Sequence, residues 1–246
     1  MKSKRFAILP LIAAVVLGVF TQEMRAAEPL FNLYVQGMLG GSYLTENYRK
    51  CFSEISDLNT VLGPAGGVGV GLRFNIHAGL GLGTELNFTR NSEKMDIAVV
   101  GEDNHSVSNV FQRNTYWRLD FPVYLSYIKR LGGSVAWNVD AGLYYAYGTG
   151  GSQKNTIYHT RANELGQLMM SVSSYDTGFY NDHRAFINYY RRGDIGVHLA
   201  TGLTFMSHLR VGMRTHLGLS NAARTDSPVR PNCHNLDFLG IIGWMF

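Results

Sequence analysis

Between residues 31 and 246 apolar and polar side chains alternate every second position, in eight separate stretches. The cleanest is the seventh. Leu209, Val211, Met213, Thr215, Leu217 and Leu219 fall on one side of an extended chain, and Arg210, Gly212, Arg214, His216, Gly218 and Ser220 on the other. The same pattern recurs in the stretches 31–39, 67–74, 80–89, 117–127, 135–147, 194–205 and 235–246. A period of two belongs to β-strands, whose side chains point to opposite faces in turn. The stretches run for 8–13 residues, around the 9–11 that a tilted strand needs to cross a bilayer.

A soluble antiparallel sandwich alternates too, and two features separate the cases. The polar side here carries Gly mixed with Arg, Asp, Glu and His rather than a solvated mixture of Lys and Glu. The apolar side carries aromatics at its ends. Phe31, Phe74, Tyr127, Trp137, Phe205, Trp244 and Phe246 mark one end, and Tyr43, Phe88, Trp117, Tyr147 and Phe238 the other. Aromatic rings with a wet edge settle at the two membrane interfaces. The expected fold is all-β: a closed antiparallel transmembrane β-barrel of about eight strands, apolar side to lipid, polar side to the lumen. Closure requires the first strand to pair with the last, because lipid cannot satisfy an open edge.

Connections alternate between short (75–79, 130–133, 207–208) and long and polar (45–64, 89–114, 148–190, 221–234). Short turns face the periplasm in bacterial barrels and long loops face outside, which puts both termini in the periplasm. Pro122 sits in mid-strand without a ladder donor, so a bulge or a missing hydrogen bond is expected there. Residues 155–160 with 186–190 are expected to prolong strands beyond the bilayer. If they cross it as a hairpin instead, the count is ten.

Residues 1–27 read as a secretory signal peptide: Lys2, Lys4 and Arg5, then an apolar run from Phe6 to Phe20, then Ala26 and Ala27. The barrel domain is expected over 28–246. Without the leader the chain keeps 18 basic and 17 acidic residues, a net charge of +1, so the basic pI is no argument for nucleic acid. No later apolar run is long enough for a transmembrane helix. The 28 Gly, 14 Tyr and 13 Phe fit a β-rich chain.

Three stretches carry a family resemblance. Residues 116–127 (YWRLDFPVYLSY) resemble the Pro-containing strand of the PorT-like outer-membrane β-barrel family. Residues 194–205 (DIGVHLATGLTF) resemble its Asp-x-Gly strand, and residues 214–221 (RTHLGLSN) its Arg-Tyr-x-x-Gly-Leu-x-Asn end. Ala200 stands where Gly is frequent, and Thr215 where Tyr is frequent. The resemblance implies a Bacteroidetes-type outer-membrane barrel and no particular task.

The ions on the lumen side are Arg73, Glu85, Arg118, Asp120, Asp140, Asp194, Arg210 and Arg214. An eight-stranded barrel is only wide enough for side chains to fill, so these are expected to form a paired internal network rather than a substrate site. The loop residues His105, His159, His183, His234, Asp103, Asp176, Asp182 and Asp226 give no spaced catalytic set, and no cofactor or metal is implied. Cys51 lies in the first long loop and Cys233 in the last, which closure makes neighbours. In an oxidising compartment a Cys51–Cys233 disulfide is expected, with free or intermolecular thiols as the alternative. The terminal Phe246 resembles the aromatic end read by the outer-membrane barrel assembly machinery. The functional expectation is a non-enzymatic outer-membrane protein, with lipid and that machinery as partners and an extracellular ligand held by the loops. The third loop's Tyr158, Tyr175, Phe179 and Tyr180 form the expected contact surface. A narrow channel and a rim enzyme are the alternatives.

Overall fold

The computed structural model describes residues 30–246, apart from 102–104, 181, 186–187 and 226–227. The leader expected over 1–27 lies outside the described residues. In chain order the elements are β1 (Phe31–Glu46), α1 (Tyr48–Cys51), β2 (Ile55–His77), β3 (Leu80–Val100), β4 (Ser106–Gly132), β5 (Val135–Ala162) and β6 (Leu168–Gly178). Then come β7 (Tyr189–Tyr190), β8 (Gly193–Phe205), β9 (Leu209–Gly218), β10 (Ala223–Arg224) and β11 (Cys233–Met245). Eight of the described strands form an antiparallel ring in the order β1-β2-β3-β4-β5-β8-β9-β11. It closes between β1 and β11, from Tyr34 opposite Met245 to Glu46 opposite Cys233. The closed eight-stranded barrel is therefore the fold, and among the described residues no additional hairpin enters the ring.

Sidedness follows the alternation. On the outside Ile242 is 61% exposed and Leu217 38%, whereas inside His198 is 0% and Arg214 2% exposed. At one end the turns are tight: Ala78 and Gly79 between β2 and β3, and Met206 and Ser207 between β8 and β9, all have positive φ. Two successive left-handed residues match the twist of the flanking strands. At Pro122 the ladder to β3 drops the pairs Glu85–Pro122 and Leu86–Phe121 and resumes in the same register. A missing bond, not a bulge, is how the strand tolerates the proline.

Beyond the aromatic band the barrel is uneven. β2 to β5 hold 21–28 residues each, whereas β8, β9 and β11 hold 10–13. Much of the expected long loops is therefore strand: residues 55–64, 89–100, 106–114 and 148–162 continue the wall. The extension of β5 pairs with β6, Ser152 opposite Gly178 to Ala162 opposite Leu168, and not with 188–190; residues 186–187 of the expected piece lie outside the described residues. A five-residue turn at 163–167 brings β6 back at once, and a short local closure costs less chain entropy than a long one. Tyr189 and Tyr190 pair instead with β10.

Candidate functional site

The lumen is built in tiers, because inward positions of neighbouring strands meet every second residue. In the tier near the tight turns, Arg73 donates to Ser126 Oγ (3.0 Å), to Asn75, and to the Gly79 carbonyl (2.8 Å). Ser126 donates to Asp140 (2.6 Å), which also pairs with Arg210. In the next tier Tyr34 donates to Glu85 (2.6 Å) and bonds Tyr124. Gln36 also donates to Glu85 (2.8 Å), and Arg214 pairs with it at 3.0 Å. Farther out, Arg118 pairs with Asp120 (3.0 Å) and with Asp237, while Thr89 donates to Asp120 (2.9 Å). Asp194 accepts from Tyr144 (2.9 Å), Ser220 (2.6 Å) and Asn235 (2.9 Å).

All eight lumen ions singled out in the sequence are thus buried, and each is held by named partners. Two of the pairs cross the barrel. Arg118 on β4 meets Asp237 on β11, and Arg214 on β9 meets Glu85 on β3; each pair joins strands four places apart in a ring of eight. Such pairs span the full diameter of the ring at those levels.

Glycine makes the room. A Cβ at Gly71 would overlap the Tyr34 ring, and one at Gly83 would overlap the Tyr124 ring. Each inward tyrosine therefore lies flat over a glycine of the adjacent strand, a device that fills the gap and pins the register.

Above the aromatic band the interior changes character. Leu44, Ile55, Met95, Ile97, Val110, Tyr116, Phe179, Tyr190 and Ala222 form an apolar cluster with Tyr48 of α1. Tyr116 stacks on Phe179 (centroids 4.3 Å apart) and Phe179 on Tyr190 (4.2 Å). This cap closes the end of the lumen. Burial pushes the Tyr48 and Tyr190 phenols well above their ordinary range. Phe179 and Tyr180, expected on a contact surface, are packed in the cap instead; Tyr158 sits edge-on to Phe111 on the wall (5.6 Å), and Tyr175 is half-buried. Among the apolar residues left open are four at the tip of β6: Leu168, Met169, Met170 and Val172.

The expected disulfide is not formed. Ring closure does bring the two segments together, with Cys233 opposite Glu46, but both thiols are free. Cys233 points into the cap and donates to Tyr48 Oη (3.3 Å), whereas Cys51 lies at the end of α1 against Asn47 Oδ1 (3.5 Å). The one-turn helix turns Cys51 toward Asn47, while β11 turns Cys233 into the cap.

Other residues join these ions in the lumen. Asp237, Tyr34, Tyr124, Tyr144, His198 and His216 all occupy polar-side positions of the alternation, which was the available signal. His198 and His216 bond each other at 2.9 Å. Glu93, with Asn114 donating to it at 3.2 Å, lies in the part of β3 where the alternation predicts a loop. Among the described residues no group of His, Cys, Asp and Glu could hold a metal.

A family model described as "Outer membrane protein beta-barrel domain" matches residues 32–224. No curated protein matches the chain significantly. Similar solved structures include Ail of Yersinia pestis, solved with the heparin analogue sucrose octasulfate (10% identity, 88% of this chain, 97% of that chain, TM-score 0.33). Neisserial surface protein A is similar at 9% identity (87% of this chain, 97% of that chain, TM-score 0.36). OprG from Pseudomonas aeruginosa is similar at 10% identity (88% of this chain, 95% of that chain, TM-score 0.35). Overlaps this loose carry no argument, but the family match spans most of the barrel: the chain belongs to the outer membrane β-barrel domain family and is an outer-membrane protein.

Proposed function

We propose that this protein is a non-conducting, non-enzymatic barrel that anchors a raised extracellular wall and binds a partner through it. The observation that carries this is the pair of diametral ion pairs, Arg118–Asp237 and Arg214–Glu85, beneath the stacked cap. A side-chain-filled eight-stranded barrel has no passage to offer, so binding belongs to what stands outside the membrane. The tight turns face the periplasm with both termini, and the tip of β5 and β6 is the outermost surface. Its open Leu168, Met169, Met170 and Val172 replace the buried loop aromatics as the contact. Within the family we group the chain with the PorT-like barrels, on the motifs in 116–127, 194–205 and 214–221. The exposed terminal Phe246 is its signal to the assembly machinery. Planar-bilayer recording tests the main point: the folded protein should give no steady single-channel steps, and reproducible steps would favour the narrow-channel alternative.

A further inference from the structure

Just outside the aromatic band, three cations stand in register on one face of three neighbouring strands. Lys94 on β3 is directly opposite Arg113 on β4, and Arg113 is directly opposite Lys154 on β5. All three are exposed, on the same outward face as Trp117. Neighbouring strands are about 4.8 Å apart, so the row is about 10 Å wide. Like charges placed directly opposite destabilise a sheet, and nothing in the wall offsets most of this cost. Among the described residues Lys94 and Arg113 have no ion-pair partner, and Lys154 has only Asp176, 3.6 Å away and itself exposed. A row of this kind is a gain only if anions from outside complete it.

The position names the anion. The row lies four residues beyond Trp117, about 13 Å along the strand and about 10 Å along the membrane normal at a tilt of about 40°. Below it Arg90, opposite Trp117, lies over that indole at 5.8 Å, and Trp117 stacks on Phe88 at 5.1 Å. Between the two levels Thr115 and Ser152, opposite each other, offer half-buried hydroxyls. The order outward is thus apolar wall, aromatic band with one cation, hydroxyls, then three cations. A glycolipid with phosphorylated sugars presents acyl chains, hydroxyls and phosphates in that order. Soluble polyanions lack the part that would meet Trp117 and the wall below it.

We infer that Lys94, Arg113 and Lys154, with Arg90 beneath them, bind the phosphate groups of a phosphorylated glycolipid in the outer leaflet. This rests on the extracellular placement of the wall proposed above. Cations near an anionic lipid surface contribute about fivefold each in affinity, screened by salt.

The test uses the refolded mature protein in nanodiscs carrying diphosphoryl lipid A, with bound lipid counted by native mass spectrometry. Diphosphoryl lipid A should bind, and the dephosphorylated form should bind far less. K94Q/R113Q/K154Q should weaken binding by about a hundredfold, while R49Q/K50Q on α1 should not; unboiled gel migration checks that both variants fold. Equal binding by the dephosphorylated lipid or by the triple variant overturns the inference. So does displacement by millimolar inorganic phosphate, which would mean free phosphate suffices, or binding of soluble heparin without lipid A. An epitope tag placed in the 163–167 turn of cells keeps the two proposals apart. A tag hidden on intact cells refutes the orientation, and a displayed tag with no lipid binding refutes the glycolipid site alone.

Discussion

Replacing Arg118 by methionine keeps an unbranched stem and removes the charge that Asp120 and Asp237 both face. Arg118 is 2% exposed, Asp120 0% and Asp237 1%, so the two carboxylates would be left buried, close together and unneutralised. Removing one member of a buried pair costs about 3–5 kcal/mol, which puts R118M, with its two orphaned acids, at about 4 kcal/mol. At a urea m-value of about 2 kcal/mol per molar, the unfolding midpoint should fall by about 2 M. The assay is urea unfolding in lipid vesicles, scored by the mobility difference between folded and unfolded barrel on a cold gel. R118M/D120N/D237N removes all three charges together and should recover most of the loss, since a whole ion-pair group can be replaced at little net cost. A loss below about 1 kcal/mol for R118M is what a solvent-screened pair gives. It would refute the closed lumen, because the pair would then be standing in water.

Gly83→Ala drives a Cβ into the Tyr124 ring, which is itself stacked on His198 at 4.9 Å; it should cost about 1–3 kcal/mol in the same titration, and an unchanged midpoint would count against the flat tyrosine packing. Tyr48 and Tyr190 have folded pKa values raised above their unfolded ones, so the unfolded chain loses those protons first. The stability they lend is present in full below about pH 10 and declines above it; tyrosinate absorbance should show these two phenols still protonated when exposed tyrosines have ionised, and their early ionisation would open the cap. Iodoacetamide should label folded protein once, at the half-buried Cys51, and a second time at Cys233 only after unfolding; a label that needs prior reduction would reinstate the bridge. Deleting Phe246 should lower the amount assembled in cells and leave refolding into detergent unchanged, and normal cellular yield would end its role as a signal.

The membrane-crossing part of this fold was legible because one face of each strand meets lipid and the other a lumen, two environments that cannot share residue types. Leu209 to Gly218 alternates without exception for that reason. The wall above was not legible. From Ser106 to Asn114 the inward residues are Ser, Ser, Val, Gln and Asn and the outward ones Val, Asn, Phe and Arg, so neither face has a single solvent to declare it. β6 was missed for the same reason, being exposed on both faces at Leu168 to Ser174. The ion pairs were half legible: alternation puts Arg118 and Asp237 inside, but only the ring order makes them opposite. The cysteine pairing failed on a finer scale, since adjacency of segments does not fix where a side chain on a four-residue helix points.

β4 passes from one of these worlds into the other within a single strand. Its inward residues pass from Val110, Gln112 and Asn114 at the cap through Tyr116 at the boundary to Arg118 and Asp120 below, with polar groups on both sides of the boundary. Its outward residues change character, from Arg113 to Trp117 to Leu119 and Phe121. The meaning of a substitution on the outward face therefore reverses at Trp117. A polar residue introduced at an outward site suits the strand before that point and harms it afterwards, and a greasy residue does the opposite. A deep mutational scan of β4 should trace that crossover as a change of sign between positions 113 and 118, locating the water line of the membrane from fitness values alone.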